Sequence, residues 1–353
     1  MNKYFTPNYA NLKDGLSGIM RVRNESQLIE GCIDSCIQAL DELIVVCNDC
    51  TDDTPEILLR KQKQYPSKLK VFFYNHNVLS FDLTKEEYDE ALALPDDSLR
   101  LYCNQCNYGL SKVNYKYAVK IDTDQVYFHD ELKKWRDVCA LYRKIKWNPK
   151  NIFGWAFMIY FSIYRRISAR VGKPCIKLLP KVLFKVFGNS YLTYAKWRLS
   201  RGNAAVSLSG FNVFKDDKWY IPFDKYNIHP PYNGEGDTVI FKVSDKTYFT
   251  RTSSARSSYS VTEKFSNPYK VMFAPPLWFH LHANRKQCWN KVKEVKEHYP
   301  ELFIPINEFS SFSYCDVLNK MDEKVNTLYQ RTLFILVHDM GIDTLNNYLY
   351  LLK

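Results

Sequence analysis

The sequence predicts an α/β fold with a mixed, mostly parallel sheet flanked by helices, a basic helical insertion and a C-terminal helical extension. Three observations support this prediction. Apolar runs typical of buried strands alternate with helical patterns in the first third of the chain. Polar loops follow the ends of three of these strands. The segment between Asp137 and Asp216 contains 15 cations and no acidic residue, which marks it as an insertion of different character.

The predicted strands cover residues 18–22, 43–47, 70–74 and 115–121. Between the first two, an apolar series at three- and four-residue spacing begins after Ser26 and predicts a helix. Pro55 fits the first turn of the next helix. Alternating strands and helices require right-handed crossovers and therefore a parallel sheet. Ligands of such sheets bind at the carboxyl ends of the strands, so we expect the polar loops to meet there.

Composition excludes several classes of protein. The chain has 353 residues with 46% hydrophobic and 25% charged residues, as in globular proteins with a sizeable core. Twelve Gly and 15 Pro are too few for a collagen-like or disordered chain. The net charge of +11 favours anionic partners such as phosphates, nucleic acid or an acidic membrane surface.

Asp122-Thr123-Asp124 follows the fourth predicted strand. Side chains two residues apart on an extended segment share a face, so the two carboxylates should lie together. Neighbouring carboxylates repel each other unless a divalent cation lies between them and an anionic ligand. The pattern therefore favours a Mg²⁺ or Mn²⁺ site that holds a diphosphate, and a solvated turn is the alternative.

Three motifs, taken in order, resemble the nucleotide-sugar half of GT-A glycosyltransferases, especially glycosyltransferase family 2. They are Arg23-Asn24-Glu25, the loop V-V-C-N-D-C-T-D-D-T at 45–54, and the D-x-D at Asp122 and Asp124. The resemblance covers about residues 16–125, with weaker similarity to about 285. It implies a Rossmann-like GT-A fold and an enzyme of the hexosyltransferase type. One departure is that Cys47 and Asn48 replace the family's acidic pair after the second strand.

The resemblance also implies roles for individual residues. Those expected to bind the nucleotide sugar, most simply a UDP-sugar, are Arg21, Arg23, Asn24, Glu25, Asn48, Lys112 and Asp122. The expected ligands of Mn²⁺ or Mg²⁺ are Asp122 and Asp124, with His280 and His282 as further candidates because H-x-H places both rings on one face. Asp237 is the expected general base of an inverting transfer, with Glu235 as the alternative base. An N-cap for the following element is the structural alternative for Asp237.

The basic segment predicts contact with a membrane surface. Its apolar run at 152–164 is too short to cross a bilayer, which needs about 20 residues. Lys177, Lys181 and Lys185 recur at four-residue spacing between aliphatic residues, as in an interfacial helix on an anionic leaflet. Internal packing of a helical subdomain is the alternative. Residues 1–20 lack the pattern of a secretory signal, so we expect a cytoplasmic protein held peripherally on the inner face of the membrane.

These observations divide the chain into a nucleotide-sugar half (1–137), a basic amphipathic insertion (138–202), an acceptor half (203–285) and a C-terminal helical region (286–353). The expected function is metal-dependent, inverting transfer from a nucleoside-diphosphate sugar to a glycan or lipid-linked glycan in polysaccharide or lipopolysaccharide synthesis. The alternatives are a nucleic-acid-binding protein, for which no motif is present and no nucleic-acid partner is expected, and an inactive scaffold of the same fold. Cys47/Cys50 and Cys103/Cys106 also leave a four-thiolate zinc site open, although reduced thiols are the expectation.

Overall fold

The computed structural model describes residues 5–171, 181–223, 231–234, 238–255, 258–320, 338 and 341–352. A nine-stranded sheet has the order β3-β2-β1-β4-β10-β6-β13-β5, and β9 pairs with β6. Its strands are β1 (Lys13–Val22), β2 (Glu42–Cys47), β3 (Leu69–Phe73), β4 (Tyr115–Ile121), β5 (Gln125–Tyr127), β6 (Ala204–Asn212), β9 (Tyr232–Asn233), β10 (Val239–Lys242) and β13 (Lys270–His280).

The sheet is mixed and mostly parallel, as predicted. Strands β1 to β4 are parallel to one another, and β6 is parallel to β13. Strand β10 runs antiparallel to both β4 and β6, which gives β4, β6 and β13 the same direction. The carboxyl ends of β1, β2, β4, β6 and β13 therefore meet at one edge of the sheet.

Both faces of the central strands are buried, which explains their nearly continuous apolar sequence. In β1, Met20 packs in one hydrophobic cluster and Ile19 in the cluster on the other face. Val45 and Ile44 of β2 divide between the same two clusters. Helices supply the opposing layers: α1 (Ile29–Cys36), α2 (Thr54–Gln64), α3 (Lys85–Ala93), α4 (Tyr102–Ser111), α5 (His129–Ala140), α6 (Lys150–Val171), α7 (Lys181–Ser200), α8 (Lys286–His298), α9 (Ile306–Phe309) and α10 (Tyr314–Lys320).

Two smaller sheets complete the described fold. Strands β11 (Tyr248–Ser254) and β12 (Ser260–Ser266) form an antiparallel hairpin that covers part of the main sheet beside α4. Strands β7 (Phe214–Lys215), β8 (Trp219–Pro222) and β14 (Phe303–Pro305) form the other sheet. The sequence analysis predicted neither of them. A helix over 341–348 packs near the second small sheet, since Leu345 shares a buried cluster with Ile221.

The basic insertion forms the antiparallel partners α6 and α7. Phe157 stacks on Phe187 at 6.2 Å between ring centroids and meets Tyr191 edge-on at 6.0 Å. The predicted boundary at 137/138 is wrong as an element boundary, because α5 continues to Ala140. The predicted nucleotide-sugar and acceptor halves also share one sheet, since β10 hydrogen-bonds to β4.

Several expectations fall on residues that lie outside the described ones. These are the base candidates Glu235 and Asp237, the basic residues Lys173 and Lys177, and most of the predicted final helix before 341. Among the described residues, no helix combines the length and apolar character needed to cross a bilayer.

Gly154 allows α6 and α7 to approach closely. A Cβ added there would lie 2.2 Å from the carbonyl oxygen of Ser190. Gly31 of α1 is the matched control, because its added Cβ would meet nothing within 4 Å. We expect Gly154→Ala to lower the free energy of unfolding by about 1–3 kcal/mol through overpacking. Gly31→Ala should raise it by about 0.5–1 kcal/mol through helix propensity. Urea denaturation measures both, and equal effects would contradict the close helix contact.

Candidate active site

The turn after β1 and the loop after β2 hold each other in place. Asn24 has a φ of 56°, a left-handed conformation that asparagine tolerates better than most residues. Its side-chain oxygen accepts a hydrogen bond from the Thr51 backbone N–H at 2.7 Å. The Glu25 backbone N–H donates to the Thr54 hydroxyl at 2.8 Å. These contacts explain why polar residues are needed in both segments.

Asp52 is the central acceptor of this loop pair. Its carboxylate accepts from the Ser26 N–H at 3.0 Å and from the Thr54 N–H at 3.1 Å. Partial burial opposes ionisation, but the hydrogen bonds from Thr54 and Ser26 outweigh it and lower the pKa of Asp52 to about 2. The charged carboxylate thus fixes the turn that carries Glu25.

Asp124 lies at the centre of a polar cluster at the carboxyl edge of the sheet. One carboxylate oxygen is 3.4 Å from His280 Nε2, and the other is 3.3 Å from His282 Nδ1. The ligand atoms of these three residues all lie within 4.8 Å of one another. Asn212 at the end of β6 contacts the other nitrogen of the His280 ring, Nδ1, at 2.6 Å. The structure thus brings the H-x-H motif together with Asp124 of the D-x-D motif, and their role as metal ligands stays a prediction.

Arg285 compensates the buried charge of Asp124. Its Nη2 lies 3.1 Å from Asp124 Oδ2, and its Nη1 lies 2.8 Å from Glu25 Oε2. Burial alone would raise the pKa of Asp124, but His280, His282 and Arg285 hold it well below its usual range. Asp124 therefore stays ionised and remains a strong ligand for a cation.

Asp122 and Asp124 line one open cavity, but Asp122 lies outside the cluster of Asp124, His280 and His282. Strand β4 ends at Ile121, so the two aspartates occupy a turn and the strand's two-residue period does not bring their carboxylates together. Arg21 Nη2 lies 3.3 Å from Asp122 Oδ1, and Lys120 Nζ lies 3.8 Å from Oδ2. The role of Asp122 as a metal ligand stays a prediction.

A second acidic residue completes the Arg21 environment. Glu263, on β12, accepts a hydrogen bond from Arg21 Nη1 at 2.7 Å and lies 3.4 Å from Lys120 Nζ. The Arg21 guanidinium also lies 4.6 Å from the centroid of the Tyr102 ring. Arg21 Nε is buried and has no hydrogen-bond partner among the described residues. Arg21 also lines an open cavity, where its positive charge suits an anionic ligand.

The polar clusters line one open cavity of about 690 Å³. This donor cavity brings together the predicted residues Arg21, Glu25, Asp122, Asp124, His280 and His282. Arg23 and Asn24 are exposed at the neighbouring turn, where Arg23 Nη1 lies 3.4 Å from the Val78 carbonyl oxygen. Their roles in nucleotide binding stay predictions.

Two of the predicted nucleotide-binding residues have other roles in the structure. Asn48 is 1% exposed, and its amide donates to the carbonyl oxygens of Tyr74 and His76 at 2.6 and 2.7 Å. Both amide hydrogens therefore position the loop after β3 and are not available to a base. Lys112 follows α4, and its ammonium packs over the rings of Tyr108 and Phe72 at 4.6 and 5.5 Å. It is not among the residues that line the donor cavity, and its diphosphate contact stays a prediction.

The alternative zinc site is also not formed. Cys47 and Cys50 lie 3.6 Å apart at the end of β2, whereas Cys103 and Cys106 are buried on α4. These four thiols do not form a potential metal cluster, although all four are described.

Several residues that line the donor cavity were not among the predicted site residues, including Arg285, Lys120, Glu263 and Tyr102. Arg285 had a sequence signal, because it follows the H-x-H motif by three residues. Lys120 also had one, as a charged residue two positions before Asp122 in an otherwise apolar strand. Glu263 and Tyr102 had none, since only the hairpin fold and the α4 packing bring them to Arg21.

The ligand atoms of Asp124, His280 and His282 fit a divalent transition metal. One carboxylate and two imidazoles can hold a divalent first-row transition metal, and three protein ligands leave positions for oxygen atoms of a ligand. Asp124, His280 and His282 are thus the residues that would hold the cation.

One family of known proteins matches part of the chain. The model of the family described as beta-1,4-N-acetylgalactosaminyltransferase (CgtA) matches residues 13–148, which is less than half of the chain. No curated protein matches the sequence. The matched region contains β1 to β5 with the Arg23-Asn24-Glu25 turn and the D-x-D. Over this part of the chain, the family match agrees with the resemblance to glycosyltransferases that these motifs carry.

Solved structures overlap with only part of the chain. Glucosyl-3-phosphoglycerate synthase from Mycobacterium tuberculosis, in complex with Mn²⁺, UDP and phosphoglyceric acid, is 23% identical over 32% of this chain and 34% of its own, with a TM-score of 0.20. The same enzyme with Mn²⁺, UDP-glucose and phosphoglyceric acid is 22% identical over the same shares, with a TM-score of 0.21. A mycobacterial protein is 19% identical over 32% of each chain, also with a TM-score of 0.21. The aligned segment spans about a third of each of these proteins, and superpositions this weak carry no argument about function.

His282 offers a direct test of the cluster, because its side chain is 42% exposed and its removal should not disturb the fold. Even outer-shell partners of a metal change its affinity by about 10–100-fold, so His282→Ala should weaken Mn²⁺ binding by at least about tenfold. Electron paramagnetic resonance of free Mn²⁺ measures this affinity. His298→Ala, at the exposed end of α8, is the matched control and should leave binding unchanged. Equal affinities in the two variants would contradict the assignment.

Proposed function

We propose that the protein transfers a sugar from a UDP-sugar donor to a saccharide or lipid-linked saccharide acceptor, with inversion, using Mn²⁺ or Mg²⁺. The cluster of Asp124, His280 and His282 in an open cavity beside Arg21 and Arg285 is the observation that carries this proposal. A nucleoside diphosphate needs both a divalent cation and fixed positive charge, and this cavity supplies groups for both.

UDP-N-acetylgalactosamine is the first donor to test. The family that matches residues 13–148 is described as a beta-1,4-N-acetylgalactosaminyltransferase. UDP-linked N-acetylgalactosamine carries an α-linked diphosphate, so a β-linked product requires inversion at the anomeric carbon. The family description therefore supports both the donor and the inverting mechanism proposed here.

The proposed reaction is a single displacement. An acceptor hydroxyl oxygen attacks the anomeric carbon, the bond from that carbon to the diphosphate oxygen breaks, and the hydroxyl proton passes to a carboxylate base. A bound divalent cation would neutralise charge on the departing diphosphate. Arg21 and Arg285 lie in the same cavity and would stabilise that charge further. Glu25 and Asp124 hold Arg285 from two sides, so its guanidinium is positioned before the donor binds.

Transfer assays on variants of the two candidate general bases test the mechanism. We expect Asp237→Asn to reduce transfer from UDP-N-acetylgalactosamine by about 10²-fold or more while UDP binding persists, because the amide cannot accept the proton. Glu235→Gln is the control and should retain most activity. The opposite result would assign the base to Glu235, and no transfer or donor hydrolysis by the wild-type protein with any UDP-sugar would contradict the proposed function.

A membrane-surface acceptor fits the exposed face of α6. Four large apolar side chains on this helix are about half exposed: Ile152, Phe153, Trp155 and Ile163. Lys146 and Lys150 are exposed close to them. We propose that this face docks on the anionic inner leaflet, where lipid-linked acceptors of polysaccharide or lipopolysaccharide synthesis would be reached. Eight of the ten cysteines are free thiols in the structure, and the proposed docking on the inner leaflet would place the protein in the cytoplasm.

Vesicle sedimentation tests this docking surface. Each cation near an anionic leaflet contributes about 1 kcal/mol to the free energy of binding. The double variant Lys146→Glu and Lys150→Glu should therefore bind anionic vesicles about tenfold or more weakly than wild type. The control replaces Lys63 and Lys291 with Glu, which changes the net charge equally at exposed positions elsewhere. Equal loss in both variants, or binding that ignores lipid charge, would contradict the docking surface.

A further inference from the structure

A second cavity adjoins the donor cavity and shares part of its wall. It has a volume of about 540 Å³ and lies between the β11–β12 hairpin and the main sheet. Lys120 and Glu263 line both cavities. Val239 and Val271 contribute the sheet side of the second cavity. Its volume lies within the range of about 300–1,000 Å³ typical of small-molecule sites.

The walls of this cavity suit a sugar ring. Phe249, Phe265 and Tyr269 supply aromatic surface, which can pack against the C–H face of a pyranose. Thr252 and Lys264 add hydrogen-bonding groups at the exposed side. A saccharide presents both an apolar face and a rim of hydroxyls, so it matches both kinds of lining.

We infer that this cavity is the subsite for the acceptor saccharide, an inference that rests on the proposed function. In a single displacement, the attacking hydroxyl must lie in contact with the anomeric carbon of the donor sugar. The acceptor subsite must therefore adjoin the donor cavity, as this cavity does at Lys120 and Glu263. A third cavity, lined by Asp96, Asn107 and Thr250 among others, shares no lining residue with the donor cavity.

Glu263 marks the junction of donor and acceptor subsites. Arg21 and Lys120 both approach the same carboxylate oxygen, Oε1, at 2.7 and 3.4 Å. A carboxylate offers about four acceptor positions in total, so the group held in this way can still accept a hydrogen bond from a sugar hydroxyl. Glu263 is 10% exposed, which is consistent with contact to a bound ligand at the cavity wall.

Two tryptophan substitutions test the subsite. Thr252→Trp would place a large ring in the proposed acceptor cavity, whereas Asp97→Trp would place the same ring at the exposed side of the third cavity. Transfer from UDP-N-acetylgalactosamine to a panel of saccharides would be measured for wild type and both variants. Donor hydrolysis without acceptor and Mn²⁺-dependent UDP binding would be measured alongside.

We expect Thr252→Trp to raise the KM for the acceptor at least tenfold while UDP binding and donor hydrolysis stay within twofold of wild type. Asp97→Trp should leave all three unchanged. Equal acceptor KM values in the two variants would overturn the subsite while leaving the proposed function intact. A loss of UDP binding in Thr252→Trp would also overturn it, since the cavity would then belong to the donor. If the wild-type protein neither transfers nor hydrolyses any UDP-sugar, the proposed function and this inference both fail.

Discussion

The active site depends on one buried charge, the carboxylate of Asp124. Asp124 is 5% exposed, and an uncompensated charge at such a position would be strongly destabilising. Its compensation comes from His280, His282 and Arg285, which are more than 150 positions later in the sequence. The ends of β4 and β13 must therefore meet for the charge to be tolerated, although β10 and β6 separate these strands within the sheet.

Strand β5 brings the carboxyl ends of β4 and β13 together. After the D-x-D turn, β5 pairs antiparallel with β13, with Gln125 opposite His280. The Leu281 backbone N–H then donates to the Asp124 carbonyl oxygen at 2.7 Å. Arg285 extends the contact to Glu25 at the end of β1, so one chain of charged groups links three strand ends. The proposed cation site and diphosphate-binding surface thus share the interactions that hold the edge of the sheet together.

The sequence was sufficient for those parts of the fold that depend on local pattern. The apolar runs predict the strands before Asp122, and the crossover rules predict their parallel order. The D-x-D and H-x-H motifs are recognisable in the sequence because carboxylates and imidazoles are metal ligands. The resemblance alone gave Lys112 and Asn48 their expected roles. The packing of Lys112 over Tyr108 and the hydrogen bonds of Asn48 to the carbonyl oxygens of Tyr74 and His76 depend on the tertiary fold, which no local pattern shows. Glu263 could not be found, since only the tertiary position of the hairpin gives it a role.

The central claim is that Asp124, His280 and His282 hold the divalent cation that binds the donor diphosphate. Electron spin echo envelope modulation of the Mn²⁺-loaded protein with UDP tests this claim most directly, because it detects the nuclei bonded to the metal. We predict ¹⁴N couplings from two imidazoles together with ³¹P coupling from the diphosphate. Mn²⁺ that shows ³¹P coupling without ¹⁴N, or imidazole coupling without ³¹P, would contradict this account of the site.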